Sequence, residues 1–169
     1  LELYLETYIF EDDETGRLIA TALARAARRG VVVRVMVDGF GANHFAETLM
    51  PALSSSGADV LVYRPEIARF KFRRHRLRRL HRKLAVIDAR LAFVGGMNIV
   101  DDIEDPAVNV RRCDYAVRIA GPLIAHIHAS VRHLWGLVSW ASFKHRLRVL
   151  HHPQVMAGRC GEMQASFVV

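Results

Sequence analysis

Cysteine is scarce in this chain. The 169 residues contain two, Cys113 and Cys160, far apart and outside any C-x-x-C or zinc-finger spacing. A disulfide framework and a cysteine-bound structural zinc are excluded as the basis of the fold, and two reduced thiols are expected. Long apolar runs are missing too. A membrane span needs ~18 consecutive apolar residues, and the most apolar window, 134–143, is shorter and carries Ser139 and Ser142. No segment repeats and no low-complexity linker is present. The chain also lacks an initiator methionine. Leu1 and Glu2 read as part of a strand and not as a signal peptide, so the expectation is a fragment of a longer protein.

What is present suits one ordinary domain. Hydrophobic residues make up 51% of the chain, enough for a sizeable core. A net charge of +7 points to an anionic partner: phospholipid head groups, nucleic acid or a phosphorylated substrate.

Leu1, Leu3 and Leu5 alternate with Glu2, Tyr4 and Glu6, the period-two pattern of a half-buried strand. Asp12, Asp13 and Glu14 supply caps and negative charge for a helix start. Leu18, Ile19, Ala22, Leu23 and Ala26 follow at helical spacing, and Arg28, Arg29 and Gly30 close the helix. Residues 31–37 read as a buried strand ahead of Asp38-Gly39, 43–55 as a second helix and 57–63 as a third strand. This β-α-β-α-β order predicts an α/β domain with a mixed, mostly parallel sheet flanked by helices. A charged loop (64–80) leads to two short strands, 84–87 and 91–94, joined through Asp88-Ala89-Arg90. A strand at 115–119 and an amphipathic helix from Gly121-Pro122 to about residue 146 follow. Leu123, Ile124, Ile127, Val131, Leu134 and Trp135 form its core-facing side. The tail, 149–169, ends in an apolar, strand-like run at 165–169.

The informative constellation is His81-Arg82-Lys83, then Asp88, then Gly95-Gly96-Met97-Asn98. On a strand, His81 and Lys83 project from one face. An imidazole serves as nucleophile or general acid near neutral pH, and an adjacent ammonium holds an anionic oxygen. Gly95 and Gly96, without β-carbons, let the backbone bend and a ligand approach. Asn98 adds a neutral amide donor. A nucleophile, a cation and an amide donor together suit a phosphoryl group.

This spacing resembles the H-x-K-x4-D-x6-G-(G/S)-x-N motif of the phospholipase D superfamily, with five fixed positions over eighteen residues. The likeness extends to bacterial cardiolipin synthases through Tyr8-Ile9-Phe10, Asp13, Gly16, Arg29-Gly30-Val31, Val37-Asp38-Gly39, residues 92–96, residues 112–115 and Gly121-Pro122. Ala89 stands where that family often has glycine, so a slightly different turn is expected there, with no chemical consequence.

The resemblance implies a phospholipase D-like catalytic half over 1–148, with 149–169 as a linker toward a second half. It implies that the catalytic set is His81, Lys83, Asp88 and Asn98. His81 would attack phosphorus or protonate the leaving alcohol, and Lys83 and Asn98 would hold non-bridging oxygens. Asp88 would act more as a structural carboxylate than as a direct participant. Gly95, Gly96 and Asp114 would support the site, Asp114 by orienting a histidine of the opposite half. Asp101 and Asp102 compete for that role but read better as helix caps. The implied reaction is phosphatidyl transfer through a phosphohistidine, turning phosphatidylglycerol into cardiolipin, with no metal or other cofactor. One motif supplies one histidine and the chemistry needs two. The second would come from another copy of the chain, as a homodimer, or from a second motif in the same full-length protein. Alone, the chain is expected to be inactive unless it dimerises.

Between Arg69 and Lys83 lie nine Lys or Arg and no acidic residue, with Phe70 and Phe72 interleaved. Arg69, Lys71, Arg73 and Arg74 are candidates for contact with a membrane surface, where each basic residue is worth ~1 kcal/mol near an anionic leaflet. A solvated loop fits the same residues, as does nucleic acid, although the likeness to synthases disfavours the latter. The expected setting is peripheral, on the cytoplasmic side of a bacterial inner membrane. His126, His128 and His133 have no carboxylate at ligand spacing and are expected at the core edge or in solvent. His151-His152 gives no firm metal site either. Two other readings remain open: a phospholipase D or endonuclease using water as acceptor, and an inactive anion-binding half.

Overall fold

The computed structural model describes residues 1–64, 79–101, 103–105, 110–111, 113–142, 158 and 161–168. Asp102, Arg69, Lys71, Arg73, Arg74, His151, His152 and Cys160 lie outside them.

The opening alternation makes β1 (Glu2–Ile9). Asp13 accepts from the Gly16 N–H at 2.7 Å and so caps α1 (Glu14–Arg28), which ends before Gly30 at φ +88°. β2 (Val32–Gly41) runs parallel to β1, with Leu3 opposite Val33 and Leu5 opposite Val35. The expected second helix is two short ones, α2 (Asn43–Glu47) and α3 (Leu49–Ser55). Pro51 explains the break, because it has no N–H for the Glu47 carbonyl four residues back and its ring crowds that carbonyl. β3 (Asp59–Tyr63) pairs parallel to β2.

Beyond the basic segment, β4 (Leu84–Ile87) and β5 (Leu91–Gly95) form a hairpin. Asp88 and Ala89, central in its turn, both have φ +52°. Ala89 thus adopts the left-handed conformation that glycine favours. β6 (Ile103–Asp105) and β7 (Val110–Arg111) form a separate two-stranded antiparallel pair. β8 (Ala116–Ala120) and α4 (Leu123–Ala141) complete the elements.

The main sheet has the order β3-β2-β1-β4-β5-β8. It is mixed, as expected, but the proportion of parallel pairing is corrected. Only β3-β2 and β2-β1 are parallel, and the other three pairings are antiparallel. The βαβ crossovers make the first half parallel, whereas a tight hairpin such as β4-β5 can join only antiparallel strands. The apolar tail run is corrected as well. Residues 163–168 form no strand, and Phe167 packs instead against the core beneath α4.

Both faces of β1 are covered, which corrects the half-buried expectation. Leu3 and Leu5 pack with Val33, Val35, Val37, α1 and α3. On the opposite face Glu2, Tyr4 and Glu6 are buried to 4%, 2% and 2% exposure. There Ile124, Ile127 and Val131 of α4 close over Tyr4, Leu84 and Val86. The charges come with partners. Arg34 Nη1 donates to the Tyr4 hydroxyl at 2.5 Å and lies 3.7 Å from Glu2 Oε2. His128 Nε2 lies 2.5 Å from Glu2 Oε1. Burial pushes the Glu2 carboxyl up, but His128, Arg34 and Arg132 together hold it below its usual range. His128 is therefore a buried partner of a distant carboxylate, while His126 and His133 are exposed.

Candidate active site

The site gathers at the C-terminal end of β1, where the parallel and antiparallel halves of the sheet meet. Residues 81–83 precede β4 and do not lie in it, correcting their expected place on a strand. They still alternate. His81 lies against the Tyr8 ring with centroids 4.4 Å apart, and Lys83 Nζ stands 5.1 Å from the centroid of the same ring. Arg82, between them, reaches Glu6 instead, Nε to Oε2 at 3.0 Å. His81 is exposed and Lys83 half-buried, its Nζ donating to the His81 carbonyl at 3.1 Å.

Asp38 anchors the approach to His81. Fully buried at the end of β2, it accepts from the Phe40 N–H at 2.8 Å and the Leu80 N–H at 2.7 Å, with Arg79 Nη1 at 3.5 Å. Leu80 is itself sunk into a cluster with Met36 and Leu61. The residue before His81 is thus fixed by both a carboxylate and the core.

Asn98 arrives from the other side. Its Oδ1 accepts from the Ile9 N–H at 3.2 Å, which leaves the NH2 end as its donor. The Ile99 N–H donates to the Ile9 carbonyl at 3.1 Å, stitching this segment to the residue after Tyr8. Gly95 donates to the Lys83 carbonyl at 3.1 Å and Gly96 to the Tyr115 carbonyl at 2.9 Å. A β-carbon on Gly95 would sit 2.1 Å from the Tyr115 carbonyl oxygen, so only glycine permits this approach of β5 to β8. One on Gly96 would meet Asp114 Oδ1 at 3.1 Å.

Electrostatics link Asp114 to Lys83. Burial lowers the Lys83 ammonium below the ordinary lysine range, and the Asp114 charge partly offsets this. Asp114 itself is exposed. Asp88 is not part of this grouping. It sits in the hairpin turn at the other end of β4, accepting from the Glu2 N–H at 2.8 Å and donating its own N–H to the Glu2 carbonyl. Five residue steps, ~16 Å of strand rise, separate it from Lys83. Asp88 thus stands apart from His81, Lys83 and Asn98 and closes the β1-β4 edge. Asp101 is a cap: its Oδ1 accepts from the Thr15 N–H at 2.9 Å, while Asp13 Oδ2 accepts from the Asp101 N–H at 2.7 Å.

Residues 2–135 match the family model described as cardiolipin synthase, phospholipase D-like domain. The chain belongs to this family. Cardiolipin synthase B of Salmonella typhimurium is 37% identical over 172 residues, an alignment covering 99% of this chain and 40% of that protein. Cardiolipin synthase B of Escherichia coli K12 is also 37% identical, over 125 residues covering 74% of this chain and 30% of that protein. The chain thus spans about 40% or less of the length of these relatives. Among solved structures, NucT from Helicobacter pylori superposes with a TM-score of 0.59 at 16% identity, covering 80% of this chain and 79% of NucT. That likeness is one of fold.

For this cardiolipin synthase-like domain, three residues at the site went unassigned from sequence: Tyr8, Asp38 and Glu6. Tyr8 and Asp38 belong to the segments that carry the resemblance. Their signal was a polar residue at the C-terminal end of an otherwise buried strand, where α/β folds place their ligand sites. Glu6 had no such signal, because an alternating acid reads as solvent-facing until something covers it.

Proposed function

We propose that this domain is one catalytic half of a phosphatidyltransferase that makes cardiolipin from phosphatidylglycerol. One observation carries the reading: an exposed imidazole and a half-buried ammonium share one aromatic ring, with the Asn98 amide anchored to the next residue of β1. In this reading Lys83 and Asn98 hold the non-bridging oxygens of a phosphodiester, and Asp114 orients the histidine supplied by the second half. That half comes from the rest of the full-length chain or from a second copy.

The reaction has two balanced steps. A histidine nitrogen attacks phosphorus, the phosphorus–oxygen bond to glycerol breaks, and the other histidine gives glycerol its proton. A primary hydroxyl of a second phosphatidylglycerol then loses its proton to that histidine and attacks phosphorus. The phosphorus–nitrogen bond breaks and cardiolipin leaves. The fixed ammonium and amide donors stabilise the charge that builds on the phosphoryl oxygens. The basic segment with Arg69, Lys71, Arg73 and Arg74 fits a peripheral position on the cytoplasmic side of the inner membrane. Among the described residues no helix is long and apolar enough to cross a bilayer.

Product analysis tests the acceptor. The full-length protein is given phosphatidylglycerol vesicles and, separately, single-stranded DNA. Cardiolipin and glycerol in equal amounts, with the DNA intact, are expected. Phosphatidic acid as the main product, cut DNA, or no lipid product with phosphatidylethanolamine also present would overturn the reading.

A further inference from the structure

Tyr8 is the residue that both His81 and Lys83 touch, and no chemical step above uses it. Its ring meets the His81 imidazole at 4.4 Å with a 36° tilt. The Lys83 ammonium stands 5.1 Å from its centroid. Phe40 lies parallel to it, 8° between planes at 6.1 Å, and Arg79 stacks 5.4 Å from the Phe40 centroid. Two aromatic rings therefore form a shelf at the rim of the site, carrying two cations and the imidazole.

Residues 81–83 precede β4 and are tied to β5 by one backbone bond, Gly95 N–H to the Lys83 carbonyl, which leaves the direction of the His81 and Lys83 side chains to their own contacts. The ring supplies one to each. A π face attracts an ammonium and packs against an imidazole without offering either a competing acceptor oxygen. The phenolic hydroxyl is not needed for either contact.

We infer that Tyr8 is a positioning residue: its ring fixes the orientation of the His81 imidazole and keeps the Lys83 ammonium beside it. This rests on the phosphodiester chemistry proposed above. Because a misplacement of 1 Å costs about a hundredfold in rate, the effect falls on turnover and not on lipid binding.

The test uses the full-length protein with Tyr8→Leu and Tyr8→Phe. Tyr8→Leu is expected to lower kcat about a hundredfold while KM for phosphatidylglycerol moves by less than about threefold. Tyr8→Phe, which keeps the ring, should recover kcat to within about threefold of the wild type. NMR with isotope-labelled histidine, assigned by His81→Gln, supplies a readout independent of activity. The His81 Cε1–H signal should be displaced by the Tyr8 ring current in the wild type and in Tyr8→Phe, and return to its ordinary position in Tyr8→Leu. Wild-type kcat in Tyr8→Leu, or a His81 signal that this change does not move, would overturn the inference. An equal kcat loss in Tyr8→Phe would also overturn it, by assigning the effect to the hydroxyl. If the wild type releases phosphatidic acid, the transferase reading fails while the same kcat comparison, made on hydrolysis, still judges Tyr8. If it turns over no lipid, the NMR signal alone decides.

Discussion

Glu6 sits beneath the site with 2% of its surface exposed, and burial raises its carboxyl to about 7, a shift that the charge of Arg82 only partly opposes. The two groups are 3.0 Å apart, yet neither Glu6 Oε2 nor Arg82 Nε has a well-directed hydrogen bond. Desolvation wins for that reason. The folded state therefore holds a proton that the unfolded chain gives up near 4.5. Between pH of about 4.5 and 7 the native state binds more protons, so this carboxyl makes stability fall as pH rises through that window, by on the order of 3 kcal/mol. Urea unfolding at pH 5 and pH 8 should show the decline in the wild type and a flatter dependence in Glu6→Gln. An unchanged pH dependence in Glu6→Gln would count against this protonation. At this scale the sequence was most legible where chemistry fixes spacing, as at His81, Lys83 and Asn98. It was least legible where burial decides. Glu2 and Glu6 look like surface acids until α4 and the 79–83 segment close over them.

Among the elements, the site depends on a close backbone approach between β5 and β8. Gly95→Ala would drive a methyl to 2.1 Å from the Tyr115 carbonyl oxygen and 2.6 Å from the Ala116 Cα, both backbone atoms. We expect a loss of about 1–3 kcal/mol in urea unfolding. Gly96→Ala should cost less, because there the neighbour is the Asp114 carboxylate, a side chain that can turn away. Equal costs at the two positions would contradict this packing. The start of α1 is held by Asp13, one oxygen on the Gly16 N–H and the other on the Asp101 N–H. Asp13→Ala should therefore remove about 1–2 kcal/mol, read as a lower Tm, and an unchanged Tm would refute the cap. The six strands of the main sheet and α1 were readable from periodicity and caps, whereas the short pair β6-β7 was not. The helix split at Thr48 follows from Pro51, which stands inside the segment expected as one helix. The place of residues 81–83 ahead of β4 could not be read, because alternation looks the same whether or not a neighbouring strand completes the ladder.

At the scale of the whole molecule, β1 is the seam between a parallel half (β3-β2-β1) and an antiparallel half (β4-β5-β8). Its C-terminal end receives His81 and Lys83 through Tyr8 and Asn98 through Ile9. The crossover order made the first half legible, and the Asp88 hairpin implied the second. Their junction at β1 was not legible, since strand order depends on contacts distant in sequence. The arrangement presents one exposed histidine at the C-terminal end of an interior strand, which suits a site completed by a matching half. The most direct measurement is turnover of phosphatidylglycerol vesicles by the full-length protein and its His81→Ala variant, compared at equal amounts of folded protein. We predict that His81→Ala keeps the wild-type Tm and loses at least about a thousandfold in cardiolipin formation. Cardiolipin formed by His81→Ala at the wild-type rate would contradict the account.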